Sequence, residues 1–162
     1  MQKTTIPQIH KLLSHDRVFV GLVAETKDAV INQLVGLLEG HPAIKDLEAI
    51  REAVLRREKV MSTGVGKGLG LPHAKTSAVD ETLAALAILK DPVSFGAIDN
   101  QPVKMVFLLI GTEESKSQHI KILSRISRLM NRDEFRKQLL LAPDVQAVME
   151  LIEKSEAALL DA

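Results

Sequence analysis

Glycine occupies every second position from Gly64 to Gly70 in the stretch S-T-G-V-G-K-G-L-G-L-P-H-A-K, residues 62–75, and Pro72 and His73 follow at once. Alternation at period two belongs to an extended chain, so it sets Val65, Lys67, Leu69 and Leu71 on one side and bare backbone on the other. Pro72 blocks a helix at this point. Two nucleotide motifs that the glycines suggest both fail. Lys67 is followed by Gly68, and the position five before Gly66 is Met61, so no phosphate-cradling G-x-x-x-x-G-K-[ST] exists. Gly64 and Gly66 lead to Leu69, and Gly66 and Gly68 lead to Leu71, so G-x-G-x-x-G is absent as well. Two readings of the bare face stand. The glycines let a neighbouring strand or helix pack closely, or form bulges in an edge hairpin; alternatively, N–H groups exposed near His73 receive an anion.

Around this stretch the hydrophobic period switches between helix and strand, with no fixed repeat and no low-complexity linker, which predicts one domain over residues 1–162. Arg17 to Val23 is a β-prone run. A helix follows from about Thr26, with Val30, Ile31, Leu34, Val35 and Leu38 on one stripe and Gly40 and Pro42 ending it. Asp46 is placed to cap a second helix through Leu47, Ile50 and Val54 to Arg57. Leu83 to Leu89 and Val103 to Ile110 predict strands buried on both faces, bounded by Asp91-Pro92 and Gly111. Ser117 to Met130, Asp133 to Leu141 and Asp144 to Ile152 predict three closing helices, with Pro143 between the last two. Helices before and after a small group of strands predict an α/β sandwich.

Composition excludes several functions. The chain has no Cys, hence no disulfide, thiol nucleophile or thiolate metal site, which suits a reducing, cytoplasmic setting. Met1 to His10 lacks an apolar export core, and apolar runs such as Met105 to Ile110 are too short to span a bilayer. Lys plus Arg equal Asp plus Glu at 21 each, and Trp and Tyr are missing, which argues against nucleic-acid binding.

Three residues then stand out. His73 follows a proline that fixes the chain, and a neutral imidazole is a phosphoryl acceptor when one nitrogen is held by a hydrogen bond and the other is free. Arg57 continues the stripe of Ile50 and Val54, with Arg56 turned about 100° away; it either points inward to an anion or offsets the dipole at the helix end. His119 lies in the first turn of its helix on the face of Ile122, Leu123 and Ile126, where it is either structural or placed to help receive phosphate. Lys121, Arg125, Arg128 and Arg132 on the opposite face form either a solvated stripe or a docking surface for an acidic partner. Zinc ligation by His73 and His119 finds no local ligand spacing in support.

The run R-E-K-V-M-S-T-G-V-G-K-G-L-G-L-P-H-A-K, Arg57 to Lys75, resembles the active-site signature of enzyme IIA of the fructose/mannitol type. That family belongs to the bacterial phosphoenolpyruvate-dependent sugar phosphotransferase system and includes a nitrogen-related regulatory branch. A-I-D-N-Q-P-V at 97–103 and S-Q-H-I-K-I-L at 117–123 extend the likeness over nearly the whole chain. The resemblance implies a three-layer fold, a small mixed β-sheet flanked by helices. It implies His73 as the phosphorylated residue, with Arg57 and His119 in support and neither metal nor cofactor. It implies the phosphohistidine carrier HPr, or its nitrogen-branch counterpart, as donor, and a IIB cysteine or a regulatory target as next partner. With no Cys-bearing module before Met1 or after Ala162, any IIB is expected on a separate polypeptide. This leans towards the regulatory branch, with transport of fructose or mannitol as the alternative.

Overall fold

The computed structural model describes residues 8–160. Helix α1 (Ile9–Leu12) and a 3-10 turn (His15–Arg17) lead into strand β1 (Val18–Leu22), then helices α2 (Lys27–Gly36) and α3 (Leu47–Val60). Three short strands follow, β2 (Gly64–Gly66), β3 (Leu69–Gly70) and β4 (His73–Lys75), and then two long ones, β5 (Leu83–Val93) and β6 (Val103–Gly111). Helices α4 (Lys116–Met130), α5 (Asp133–Leu141) and α6 (Val145–Leu160) close the chain. The sheet has six strands in the order β1-β5-β6-β3-β2, with β4 also paired to β6. Pairings β1–β5, β3–β6 and β4–β6 are parallel, and β5–β6 and β2–β3 antiparallel, so the sheet is mixed as expected.

Strand period two divides the core. On β5, Ala85, Ala87 and Leu89 face one way, and on β6 Val106, Leu108 and Ile110 do the same; they pack under α2 and α3 with Val30, Ile31, Leu34, Ile50 and Val54. Their alternates Ala84, Leu86, Ile88, Met105, Phe107 and Leu109 face α1, α4, α5 and α6. Both strands are buried on both faces because helices cover the sheet on each side. The result is a three-layer α/β sandwich with two apolar cores.

Local chemistry explains most boundaries. Thr26 and Asp46 cap α2 and α3 by accepting the N–H groups of Ala29 and Ala49. α5 spans the residues predicted. Other limits differ from the sequence reading. Asp91-Pro92 does not stop β5, because Lys90 to Pro92 are exposed where the register with β6 shifts, a place a strand tolerates proline. α6 runs eight residues past Ile152, because Glu156 and Leu159 give it a further buried stripe. There Glu156 accepts the Ile9 N–H at 2.6 Å and tethers α1.

The glycine stretch also differs. It is a reversal, not one extended face: Lys67 and Gly68 turn the chain between β2 and β3 in left-handed conformations (φ 58° and 81°). The glycines serve close packing, since a Cβ on Gly64 would lie 2.9 Å from the Ala97 Cβ and 3.0 Å from its Cα. Gly64→Ala is therefore expected to destabilise the protein by about 1–3 kcal/mol. Gly36→Ala, where a Cβ meets nothing within 4 Å, is expected to stabilise it by about 0.5–1 kcal/mol. Urea denaturation of the two variants reads both effects, and equal midpoints would contradict the packing account.

Candidate functional site

After Gly70 the chain leaves one partner segment of β6 and joins another. β3 pairs with Met105 and Val106, while β4 sets His73, Ala74 and Lys75 beside Leu109, Ile110 and Gly111. Leu71 and Pro72 bridge the gap, with the Leu71 N–H donated to the Thr63 carbonyl and the Leu109 N–H to the Pro72 carbonyl. His73 thus begins a strand anchored on both sides of its proline. The His73 Nδ1 lies 2.7 Å from the Leu71 carbonyl oxygen. A carbonyl only accepts, so Nδ1 carries the proton and Nε2 keeps the free lone pair.

His119 arrives from the same C-terminal end of β6 that β4 pairs with. The chain passes Gly111, makes a 3-10 turn (Glu113–Ser115) and enters α4, whose first turn points the His119 ring back at the sheet. Its ring centroid is 5.8 Å from that of His73. Gly111 makes the approach possible, because a Cβ there would lie 2.6 Å from the His119 Nδ1. His119 is only 3% exposed, yet neither ring nitrogen has a hydrogen-bond partner among the described residues. Burial pushes this imidazole down to about 4, helped by the charges of His73 and Lys75. His73 is also lowered, mainly by burial; the Leu71 bond opposes the shift, Arg57 adds to it and Glu58 counters it. Both rings are therefore neutral at pH 7.

Arg57 lies at the end of α3 and donates from Nη1 to the Met61 carbonyl at 2.9 Å. The guanidinium thus does what the dipole reading asked of it and also lines the hollow that holds both histidines. That hollow, about 490 Å³, is lined by Ala53, Arg56, Arg57, Val60, Ala74, Lys75, Ile120 and Leu123 beside His73 and His119. The three expected residues are brought together. The glycines are not among the lining residues, so the reading in which their N–H groups serve an anion beside His73 is replaced by the packing role above. Among the described residues no group of three or more His, Asp or Glu is arranged to hold a metal.

The sequence reading missed Arg56, Lys75 and Glu58. Arg56 reaches the hollow because the hollow opens at the end of α3. Lys75 follows His73 by two residues on a strand, so period two puts both on one side. Glu58 follows Ile50 and Val54 at spacings of four and is the buried end of their stripe. Its carboxylate accepts the Thr63 N–H at 2.9 Å and the Thr63 hydroxyl at 2.6 Å, with the Lys27 ammonium 3.3 Å away. It thereby pins the loop between α3 and β2 beside the site.

Residues 11–155 match the family model described as the phosphoenolpyruvate-dependent sugar phosphotransferase system, EIIA 2. The chain belongs to that family of phosphotransferase components. It is 36% identical over 149 residues to the fructose-specific EIIABC component of Bacillus subtilis (strain 168), covering 92% of this chain but 24% of that protein. It is 29% identical to a nitrogen regulatory protein of Pseudomonas aeruginosa, covering 90% of this chain and 94% of that one. In fold it is similar to the crystal structure of IIA-Ntr from Neisseria meningitidis (TM-score 0.84, 24% identity, 89% of this chain and 98% of that one). It is likewise similar to IIA mannitol from Escherichia coli (TM-score 0.74, 22% identity, 86% and 98%). No helix of the described residues is long and apolar enough to cross a membrane.

The depressed His119 has a thermodynamic consequence. Unfolded, the ring titrates near 6.5; folded, near 4, so between these values the unfolded chain binds the extra proton. Its contribution to stability is complete above pH 6.5 and is lost as pH falls towards 4. Between pH 7 and 5 the loss due to this ring is about 2 kcal/mol. Urea titrations at both pH values should show His119→Ala losing that much less stability than the parent protein on acidification; equal losses would show that the ring titrates normally.

Proposed function

We propose that residues 1–162 form one enzyme IIA-like domain that accepts a phosphoryl group on Nε2 of His73 from the phosphohistidine of an HPr-type carrier. The observation that carries this reading is the Leu71 bond to Nδ1, which leaves a neutral ring with its lone pair on Nε2, next to a buried His119 whose nitrogens have no partner among the described residues. In the step, the Nε2 lone pair attacks phosphorus, the phosphorus–nitrogen bond of the donor breaks, and the donor imidazole recovers the electron pair. No proton need move. Arg57 and His119 stabilise charge on the equatorial oxygens, with Arg56 and Lys75 adding positive charge around them. The step uses no metal or cofactor, and the protein works in the cytoplasm beside its carrier.

Downstream, the nitrogen-related regulatory branch is the reading we favour. The alignment to the Pseudomonas aeruginosa protein, extending over 94% of that protein, supports it. In this reading the phosphorylation state of His73 governs contacts with target proteins. A second reading, transfer to a separate IIB cysteine in fructose or mannitol uptake, draws support from the 36% identity to the Bacillus subtilis component. A solved neighbour pairs enzyme IIA of the mannitol type with phosphorylated IIB, which gives that reading a physical precedent. Incubating the phosphorylated protein with a purified fructose-type IIB separates the two, since rapid loss of phosphate to the IIB cysteine belongs to transport alone.

The assignment of roles is tested by labelling with phosphorylated carrier. One acid-labile, base-stable phosphate is expected on His73, and His73→Ala should abolish it. Arg57→Ala or His119→Ala should slow transfer by about 10²- to 10³-fold while leaving His73 the labelled residue. Transfer should persist with a strong chelator present. Labelling of His10, His15 or His41 instead, or loss of labelling in His119→Ala but not in His73→Ala, would contradict the assignment.

A further inference from the structure

The Arg17 side chain, at the end of the turn before β1, is only 10% exposed, and its charge meets no carboxylate at hydrogen-bond distance among the described residues. Nε donates to the Ala84 carbonyl at 3.2 Å and Nη2 to the Leu12 carbonyl at 3.1 Å. Two of the five N–H groups of the guanidinium are used in this way, and both on Nη1 and one on Nη2 remain. The Asp16 carboxylate stands 3.9 Å from Nη1, but it is 80% exposed and accepts the Ser14 hydroxyl. A buried cation whose carboxylate neighbour lies in solvent at that distance favours a closer anion.

Arg17 lines a hollow of about 460 Å³, a size common among small-molecule sites. The hollow opens where the turn before β1 meets the start of β5 and the first turn of α4, and it shares no lining residue with the hollow of His73 and His119. Lys11 lines it too and has no ion-pair partner among the described residues. His41 accepts the Ala43 N–H on Nδ1 at 3.0 Å, so its Nε2 carries the ring proton and is a donor. Two carboxylates share the hollow with these groups. Asp80 is engaged by the Lys45 ammonium at 3.0 Å, whereas Glu81, 64% exposed, lies 3.8 Å from the His41 Nε2, beyond hydrogen-bond distance. The side chains of Thr112 and Gln118 complete the wall and make no hydrogen bond among the described residues.

We propose that this hollow binds a small acidic amino acid, with one carboxylate against Arg17, the second towards Lys11 and the ammonium against Glu81. Charge selects the class. With Asp80 engaged by Lys45, the hollow offers the cations Arg17 and Lys11 and the Glu81 carboxylate, and a ligand with two carboxylates and one ammonium answers all three. The N–H groups left on the two η nitrogens meet both oxygens of a carboxylate, a geometry that lysine cannot reproduce. An inorganic anion leaves Glu81 unmatched and is repelled by it, and a simple amine leaves Arg17 unmatched. Thr112 and Gln118 supply neutral hydrogen-bonding groups to the ligand. The inference stands on this hollow alone and is independent of the phosphotransfer reading.

The test titrates the intact, ¹⁵N-labelled protein with L-aspartate and L-glutamate and follows ¹H–¹⁵N correlation spectra. At least one of the two should give saturating shifts centred on Arg17, Thr112 and Gln118. Succinate and glutarate, which lack the ammonium, and inorganic phosphate should bind about tenfold more weakly or worse, the equivalent of one lost charged hydrogen bond. Glu81→Gln should weaken the amino acid about tenfold without weakening the dicarboxylates, and Arg17→Lys should weaken all of them. Because Arg17 is buried, Lys11→Gln at an exposed position gives a check that leaves the core untouched, and it too should raise Kd about tenfold. The inference is overturned by saturation with neither amino acid, by shifts centred on His73 instead, by equal binding of the dicarboxylates or phosphate, or by a Kd that either Glu81→Gln or Lys11→Gln leaves unchanged.

Discussion

The pairing of β4 with the last three residues of β6 fixes where both histidines stand. Three residues of parallel ladder, His73 to Lys75 on Leu109 to Gly111, place His73 at the start of a strand whose partner ends at the glycine leading towards His119. One hydrogen bond inside this arrangement, Nδ1 of His73 to the Leu71 carbonyl, sets the chemistry of the ring. Pro72 contributes by holding the carbonyl of the preceding residue and the ring of the following one in fixed relation. The ladder is short, and it holds because β6 is buried on both faces between two helical layers.

Electrostatics follows from the same geometry. His119 is turned towards the sheet, loses water and has no hydrogen-bond partner among the described residues, an arrangement that disfavours charge on the ring. Two neutral imidazoles then stand among Arg56, Arg57 and Lys75. A hollow lined by three cations and two neutral rings, with no carboxylate among its lining residues, favours a dianion, and this is the property a phosphoryl-accepting site needs. Glu58 is a buried carboxylate close by. Bonding to Thr63 and pairing with Lys27 keep it out of competition for the arginines.

Much of this was legible in the sequence where the signal is local. Thr26 and Asp46 announce helix starts, the apolar runs announce the two central strands, and L-P-H with the arginine before it and S-Q-H after it marks three residues that line one hollow. What was not legible depends on contacts between distant segments. The glycine alternation reads as one extended face because period two says nothing of a turn at Lys67 and Gly68. Proline in β5 reads as a stop until the register shift opposite it is known. Glu58 looks like a surface residue of α3, since only Thr63 and Lys27 make its burial tolerable. The continuation of α6 depends on Glu156 meeting the N–H of Ile9, 147 positions away. Gly111 gives no local sign of its role, because the ring it admits belongs to another element.

The central claim is that the fold presents His73 as a neutral imidazole with its proton on Nδ1 and a free lone pair on Nε2. Long-range ¹H–¹⁵N correlation spectra of the imidazole rings at pH 7 read this state directly in the intact protein. The account predicts that His73 shows a protonated, pyrrole-type Nδ1 and an unprotonated, pyridine-type Nε2, and that Nε2 alone acquires coupling to phosphorus once the protein is phosphorylated. A protonated Nε2, or an imidazolium at this pH, would contradict it.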